Sequence, residues 1–253
     1  MNGLITKIKH FFIYLFEKSK AVIPELPQDL PTPIKKQPDY NVKLWCPFAE
    51  YTHTMVDRGE YIRLYPQGAV VHFTAGRDIS ENNAINSIEW GKSQGYAYFM
   101  ISPSGKIYQT ISLDRWGYHC GDSYWQGLGR GLSNKLVGIE IACAGKLEPY
   151  KGNLFRSWFG VDYKNLDNTP EDQVRSVSES EYGCPSGHYK MFTKEQENSL
   201  VKLLVWLKKN NSNVFNTDFI LGHHEISQGR KNDPGGSLSM PMSELRKLIK
   251  SLT

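Results

Sequence analysis

Leu136-Val137-Gly138-Ile139-Glu140-Ile141-Ala142 is the stretch on which the reading of the fold turns. On extended backbone, alternate side chains point to opposite faces. Val137, Ile139 and Ile141 then form an apolar face, while Gly138, Glu140 and Ala142 share the other. The stretch reads as a strand with core on one side. On the opposite side a carboxylate stands between two minimal side chains, with space in front of it. A Glu on an edge strand often does no more than face solvent. Facing a cavity, it would be a general base whose burial raises its pKa toward a useful value.

Other elements assemble around this strand. Ala69-Val70-Val71-His72-Phe73 reads as a buried strand, and Glu81 to Lys92 as a helix with Ile85 and Ile88 facing inward. Tyr96 to Ile101 and Lys106 to Ile111 flank the turn Ser102-Pro103-Ser104-Gly105 and predict a hairpin. Thr193-Lys194-Glu195-Gln196 matches a capping box, and Leu200, Leu203, Leu204 and Leu207 follow at helical spacing. Phe219 to Leu221 predicts a short strand. Leu245, Leu248, Ile249 and Leu252 mark a terminal amphipathic helix. Strands that alternate with helices make the class α/β. Gly145 to Tyr189 is polar and reads as an irregular surface insertion, about residues 145–190.

The first forty residues differ. Residues 1–22 read as a basic amphipathic helix, with Ile5, Ile8, Phe11, Phe12, Ile13, Leu15 and Phe16 beside Lys7, Lys9, Lys18 and Lys20. The apolar run Phe11 to Phe16 is far short of the ~20 residues that span a bilayer. No small-residue cleavage site follows, so no cleavable signal peptide is recognised. A helix lying on a membrane surface, or docking on a delivery or inhibitor protein, fits these residues. Pro24, Pro27, Pro31, Pro33 and Pro38 make residues 23–40 an extended linker. The main domain then runs from 41 to 253.

Composition sets outer bounds. Of 253 residues, 40% are hydrophobic and 22% charged, with 14 Tyr and 6 Trp, enough for a substantial core. A net charge of +4, without a Lys/Arg stripe, argues against nucleic acid as a partner. Cys46, Cys120, Cys143 and Cys184 are widely spaced with no CxxC pair, so buried or free thiols are expected rather than a disulfide framework.

The chemistry-bearing residues concentrate in Gly222-His223-His224-Glu225-Ile226-Ser227-Gln228-Gly229-Arg230-Lys231-Asn232-Asp233-Pro234-Gly235. Imidazoles, an ammonium and a carboxylate fall within one turning segment. Adjacent His223 and His224 point to opposite sides of extended backbone, so one of them could reach a given ion, and spacing does not choose which. Lys231 and Asp233 share parity, which leaves Arg230 as a surface or structural residue. His72 stands late in its strand, before Thr74-Ala75-Gly76 lets the chain turn. Two His and one Asp form a three-ligand zinc set that leaves the fourth tetrahedral position for water. Glu140 could take that water's proton, and Lys231 could stabilise an oxyanion, a contribution of ~3 kcal/mol.

At this point the chain resembles the zinc-dependent N-acetylmuramoyl-L-alanine amidases, whose fold is shared with peptidoglycan recognition proteins. The resemblance rests on Val70 to Gly76, on Ala97 to Gln109, on Arg115-Trp116-Gly117-Tyr118-His119-Cys120-Gly121, on Val137 to Glu140 and on Gly222 to Gly235, in family order. It implies a central mixed β-sheet flanked by helices. It implies one catalytic Zn2+ on His72, His223 and Asp233, with His223 chosen because it directly follows Gly222. Glu140 and Lys231 become the catalytic partners, and Trp116, His119 and Tyr98 candidate substrate contacts. Tyr98 stands where many members carry His. The implied activity is hydrolysis of the amide between N-acetylmuramic acid and L-alanine of the peptidoglycan stem peptide. The setting expected is the cell wall, periplasmic or extracellular, for a phage lysin or a secreted antibacterial effector. The alternatives are a cytoplasmic amidase recycling anhydro-muropeptides and a non-catalytic peptidoglycan receptor.

Overall fold

The computed structural model describes residues 41–51, 57–166 and 173–253. The helix expected over 1–22 and the linker over 23–40 lie outside the described residues. No described helix is long and apolar enough to cross a membrane.

The central sheet has five strands: β1 (Ala69–Phe73), β2 (Phe99–Ile101), β3 (Ile107–Gln109), β6 (Val137–Ile141) and β12 (Ile220–Gly222). Their order is β12-β1-β6-β2-β3. The pairs β12–β1, β1–β6 and β6–β2 are parallel and β2–β3 is antiparallel, so the sheet is mixed as expected. Helix α1 (Glu81–Ser93) returns the chain from β1 to β2.

The alternation read in β6 is realised. Val137, Ile139 and Ile141 join Ala69, Val71 and Phe73 in one core cluster, under Leu200, Leu203, Leu204 and Leu207 of α3 (Lys194–Asn210). All four leucines are fully buried, each removing apolar surface worth about 1.5–3 kcal/mol. Helix α3 starts with the capping box expected. The Gln196 amide donates to Thr193 Oγ1 at 3.1 Å, and the Thr193 amide donates to Gln196 Oε1 at 2.9 Å. Gln196 Nε2 also donates to the Ala142 carbonyl at 2.7 Å, which ties the helix start to the end of β6.

On the other face, Ala84 and Ile88 of α1 pack on Tyr98, Met100 and Ala142, with Ile85 partly buried beside them. The terminal helix α5 (Met242–Leu252) buries Leu245 and Ile249, while Leu252 is exposed.

The segment read as irregular is a sheet. Strands β7 (Lys146–Pro149), β8 (Leu154–Arg156), β9 (Asp162–Lys164), β10 (Val174–Val177) and β11 (Gly187–Lys190) pair antiparallel in the order β10-β11-β7-β8-β9. Each strand is three or four residues long. Residues 162–164 bury only Tyr163, so no alternation could accumulate in the sequence. Leu147, Tyr163 and Val174 form a small core of their own, with a short helix, α2 (Glu179–Tyr182), between β10 and β11. Two further two-residue strands, β4 (Tyr124–Trp125) and β5 (Gly129–Arg130), make a small ribbon. All four cysteines are free and buried.

Candidate metal and catalytic site

The parallel strands carry the site at their C-terminal ends. The β1–β6 register sets His72 opposite Glu140, and the β2–β6 register sets Met100 on the other side of Glu140. His72 therefore shares the sheet face of Val70, away from the leucine-rich core. Beyond β12 the chain enters a single helical turn, α4 (His223–Ile226).

His72 Nδ1, His223 Nδ1 and Asp233 Oδ2 form a triangle with every side 2.9 Å. All three residues are buried, and they form the one group of such side chains among the described residues spaced to hold a metal ion. The distal nitrogens are engaged as well. His223 Nε2 donates to the Cys120 carbonyl at 3.0 Å. His119 Nε2 donates to the Leu136 carbonyl at 2.9 Å, and His119 Nδ1 lies 3.1 Å from His72 Nε2. A carbonyl only accepts, so these bonds hold the protons on the outer nitrogens. Three lone pairs then converge with no hydrogen between them. Such a set is unfavourable without a cation and is the donor chemistry zinc takes.

The electrostatics agree. Burial, reinforced by His223, pushes the His72 imidazole down to about 3, so it stays neutral. Burial and the charge of Asp233 lift Glu140 to about 8, with Lys231 opposing the rise. Glu140 Oε2 is buried with no hydrogen-bond partner. The positive charge of an ion on the three neighbouring donors would favour the ionised form of Glu140, and its bare oxygen would then be available to take a proton from a molecule entering the site.

His223 and His224 do not lie on extended backbone. They open a helical turn, so they diverge without facing opposite ways. His224 is buried, and its Nδ1 donates to the Asp233 carbonyl at 3.0 Å, beside a backbone bond from its amide to the same oxygen at 2.9 Å. It fixes the third donor from behind. Gly222 makes room for this, since a Cβ there would meet His224 Cε1 at 2.6 Å.

Arg230 proves structural, donating to the carbonyls of Cys120 and Asp122. The second sheet steadies the other side of Asp233. Arg175 of β10 donates to the carbonyls of Gly236 and Leu238 at 2.9 and 2.7 Å, and Gly235 packs on Tyr189.

The candidate substrate contacts divide. Tyr98 is 4% exposed, and its hydroxyl donates to the Ser87 carbonyl at 3.0 Å. It is a core residue under α1 and is not offered to substrate. His119 turns its Nδ1 toward His72 and its Nε2 to the Leu136 carbonyl. A Cβ at Gly138 would sit 2.7 Å from His119 Cγ, so the space expected in front of Glu140 at Gly138 is filled by this ring. Trp116 is partly buried and packs edge-on against exposed Tyr118, with centroids 5.4 Å apart. Sequence reasoning missed Arg175 and the latch at Asp78, which accepts from Tyr163 Oη at 2.9 Å. Both contacts join segments distant in sequence, and no local pattern announces them.

A mixed sheet thus carries, at the ends of its parallel strands, a buried His-His-carboxylate cluster that could hold a metal ion, beside a buried acid with one unpaired oxygen. The family model for N-acetylmuramoyl-L-alanine amidase matches residues 63–236, and the chain belongs to that family. No curated protein sequence matches it. Among solved structures it is similar to a selenomethionine AmpD derivative, at 17% identity and a TM-score of 0.48, covering 81% of this chain and 97% of that one. It is also similar to the Escherichia coli amidase AmiD in complex with anhydro-N-acetylmuramic acid-L-Ala-D-γ-Glu-L-Lys, at 19% identity and a TM-score of 0.48, covering 72% of this chain and 58% of that one. A third is the Staphylococcus aureus hydrolase AmiA with its ligand, at 15% identity and a TM-score of 0.47, covering 83% and 84%.

Proposed function

We propose that the protein is a zinc-dependent amidase that hydrolyses the amide between the lactyl group of N-acetylmuramic acid and L-alanine. The observation that carries this reading is the 2.9 Å triangle of His72, His223 and Asp233 beside the bare Oε2 of Glu140. Family membership supplies the bond. His72, His223 and Asp233 would hold the zinc ion, which would polarise the scissile carbonyl and make a nearby water more acidic.

The chain's own groups do the rest. Glu140 accepts a proton from the attacking water at Oε2 as oxygen bonds to the carbonyl carbon. Lys231 lies close enough to influence the charge of Glu140, and its ammonium stabilises the negative charge that collects on the carbonyl oxygen. Glu140 then returns the proton to the departing nitrogen as the carbon–nitrogen bond breaks. The products are a muramyl carboxylate and a free alanine amine.

Digestion of purified sacculi tests the bond. New alanine amino termini without new reducing sugar ends, abolished by chelator and restored by zinc, are the expected products. New reducing ends would show a glycosidase instead.

The setting proposed is the cell wall, as a phage lysin or a delivered antibacterial effector. The basic amphipathic pattern of residues 1–22 and the prolines of 23–40 support it, since a recycling enzyme acting on soluble fragments has no need of either. Liposome association of the full chain, lost on deleting residues 1–40, is the expected result. Equal turnover of soluble anhydro-muropeptides and sacculi, with no liposome association, would favour recycling.

A further inference from the structure

The dipeptide His119-Cys120 touches the outer nitrogens of both imidazoles in the metal cluster. The Cys120 backbone carbonyl takes the Nε2 proton of His223 directly. Among the described residues no carbonyl bonds to His72 Nε2; its partner there is His119 Nδ1, at 3.1 Å. We infer that His119 is a positioning residue that hands the acceptor character of the Leu136 carbonyl on to His72 and so keeps His72 Nδ1 bare for zinc.

The chain of reasoning is short. The Leu136 carbonyl has no proton to give, so the 2.9 Å contact from His119 Nε2 requires a proton on that nitrogen. A neutral imidazole has one N–H, which leaves His119 Nδ1 as an acceptor. The 3.1 Å contact then requires the proton of His72 on Nε2. His72 Nδ1 is left with a lone pair, and that is the atom 2.9 Å from both other donors. Were the relay reversed, His72 Nδ1 would carry a hydrogen pointing into the cluster and could not bind an ion.

The fold is shaped around this ring. Gly138 leaves the sheet flat where His119 lies on it, and any side chain there would overlap Cβ, Cγ and Nδ1 of His119 within 3.0 Å. The His119 amide donates to Ser133 Oγ at 3.3 Å, and the next residue's carbonyl is clamped by Arg230 at 3.0 Å. With both ring nitrogens engaged, His119 has no donor left for substrate. Outer partners of this kind commonly change metal affinity by about 10–100-fold when removed.

The inference rests on the zinc reading above, and the test separates the two. In isotope-labelled full-length protein, nitrogen NMR of the imidazoles is expected to show His119 protonated at Nε2 and bare at Nδ1, and His72 protonated at Nε2. Zinc affinity is measured alongside by chelator competition. His119→Phe keeps bulk without an acceptor and is expected to weaken zinc binding by about 10–100-fold. His119→Asn places an oxygen where Nδ1 stood and is expected to return affinity to within about threefold of wild type. A proton on His119 Nδ1 in wild type overturns the relay without any variant having to fold. So does His119→Phe binding zinc like wild type, or His119→Asn binding as weakly as His119→Phe. A wild-type chain that binds no zinc overturns the metal reading itself.

Discussion

His72 and Glu140 are direct cross-strand partners in the parallel β1–β6 pair, so backbone register fixes the first metal donor beside the unpaired acid. Neither depends on a loop for its place. This rigidity separates the two functions, since Glu140 makes no bond to the three donors. Glu140→Gln is therefore expected to retain one zinc per chain and lose 10²–10⁴ of the turnover rate, in the range of general acid–base catalysis. Metal analysis together with kcat on a muropeptide checks it. Full activity would remove Glu140 from the mechanism.

In the proposed mechanism Lys231 acts on charge in the transition state. Lys231→Met is expected to lower kcat by about 10²–10³, equivalent to roughly 3 kcal/mol, with KM changed little. A rise in KM at constant kcat would instead assign the ammonium to ground-state binding.

Gly138→Ala tests the seat of His119. The added methyl would meet the ring within 2.7 Å, at atoms close to the His119 backbone that cannot swing aside cheaply. A cost of about 1–3 kcal/mol in stability is expected from overpacking. Zinc affinity should fall with it, although residue 138 touches no donor. Denaturant titration and chelator competition on the same variant read both.

Much of this was legible because it is local. The capping box at Thr193 and the leucines behind it declare α3 within a few turns, and the alternation of Val137, Ile139 and Ile141 declares β6. The three donors named from the sequence are the three that converge. Other features depend on contacts between distant segments. The choice between His223 and His224 rests on a helical turn that bends His224 back onto the Asp233 carbonyl, where adjacency had suggested extended chain. Gly138 looked like open space because its occupant, His119, comes from another loop. The second sheet stayed hidden because strands as short as Asp162–Lys164 bury a single side chain and show no period.

Several buried groups shape the pH profile of the metal-free protein, Glu140 and His72 among them. Glu140 is raised to about 8 from 4.5, so from pH 4.5 to 8 the folded state holds a proton the unfolded state releases. Its contribution is present below pH 4.5 and is lost as pH rises through 8. His72 is lowered to about 3 from 6.5, so its contribution is present above pH 6.5 and is lost as pH falls through 3. The two oppose between pH 4.5 and 6.5. Above 6.5 His119, whose imidazole burial would lower but the neighbouring Cys120 raises, adds to the Glu140 effect. Cys120, lowered from 9.0 to about 6 against burial chiefly by His119, opposes it. Relative to Glu140→Gln, the stability of chelated wild type to urea should therefore fall between pH 6.5 and 8 by about 1.4 kcal/mol per pH unit at most. Glu140→Gln keeps the other titrating groups and lacks only this one, so the difference between the two profiles isolates Glu140. Parallel profiles for the two proteins would show that Glu140 is not held protonated.

Tyr98 offers the converse test, of a residue the fold withdraws from the site. Its hydroxyl reaches the Ser87 carbonyl through the gap at Gly91, where a Cβ would lie 2.0 Å from Oη. That carbonyl also accepts the helical amide four residues on, so deleting the hydroxyl strands no acceptor. Tyr98→Phe should cost about 1 kcal/mol, the net value of one hydrogen bond. Its kcat/KM on muropeptide should remain within about twofold of wild type, because the ring keeps its packing on Met100 and Ala142. A loss of tenfold or more in kcat/KM with stability unchanged would place the hydroxyl back in the reaction.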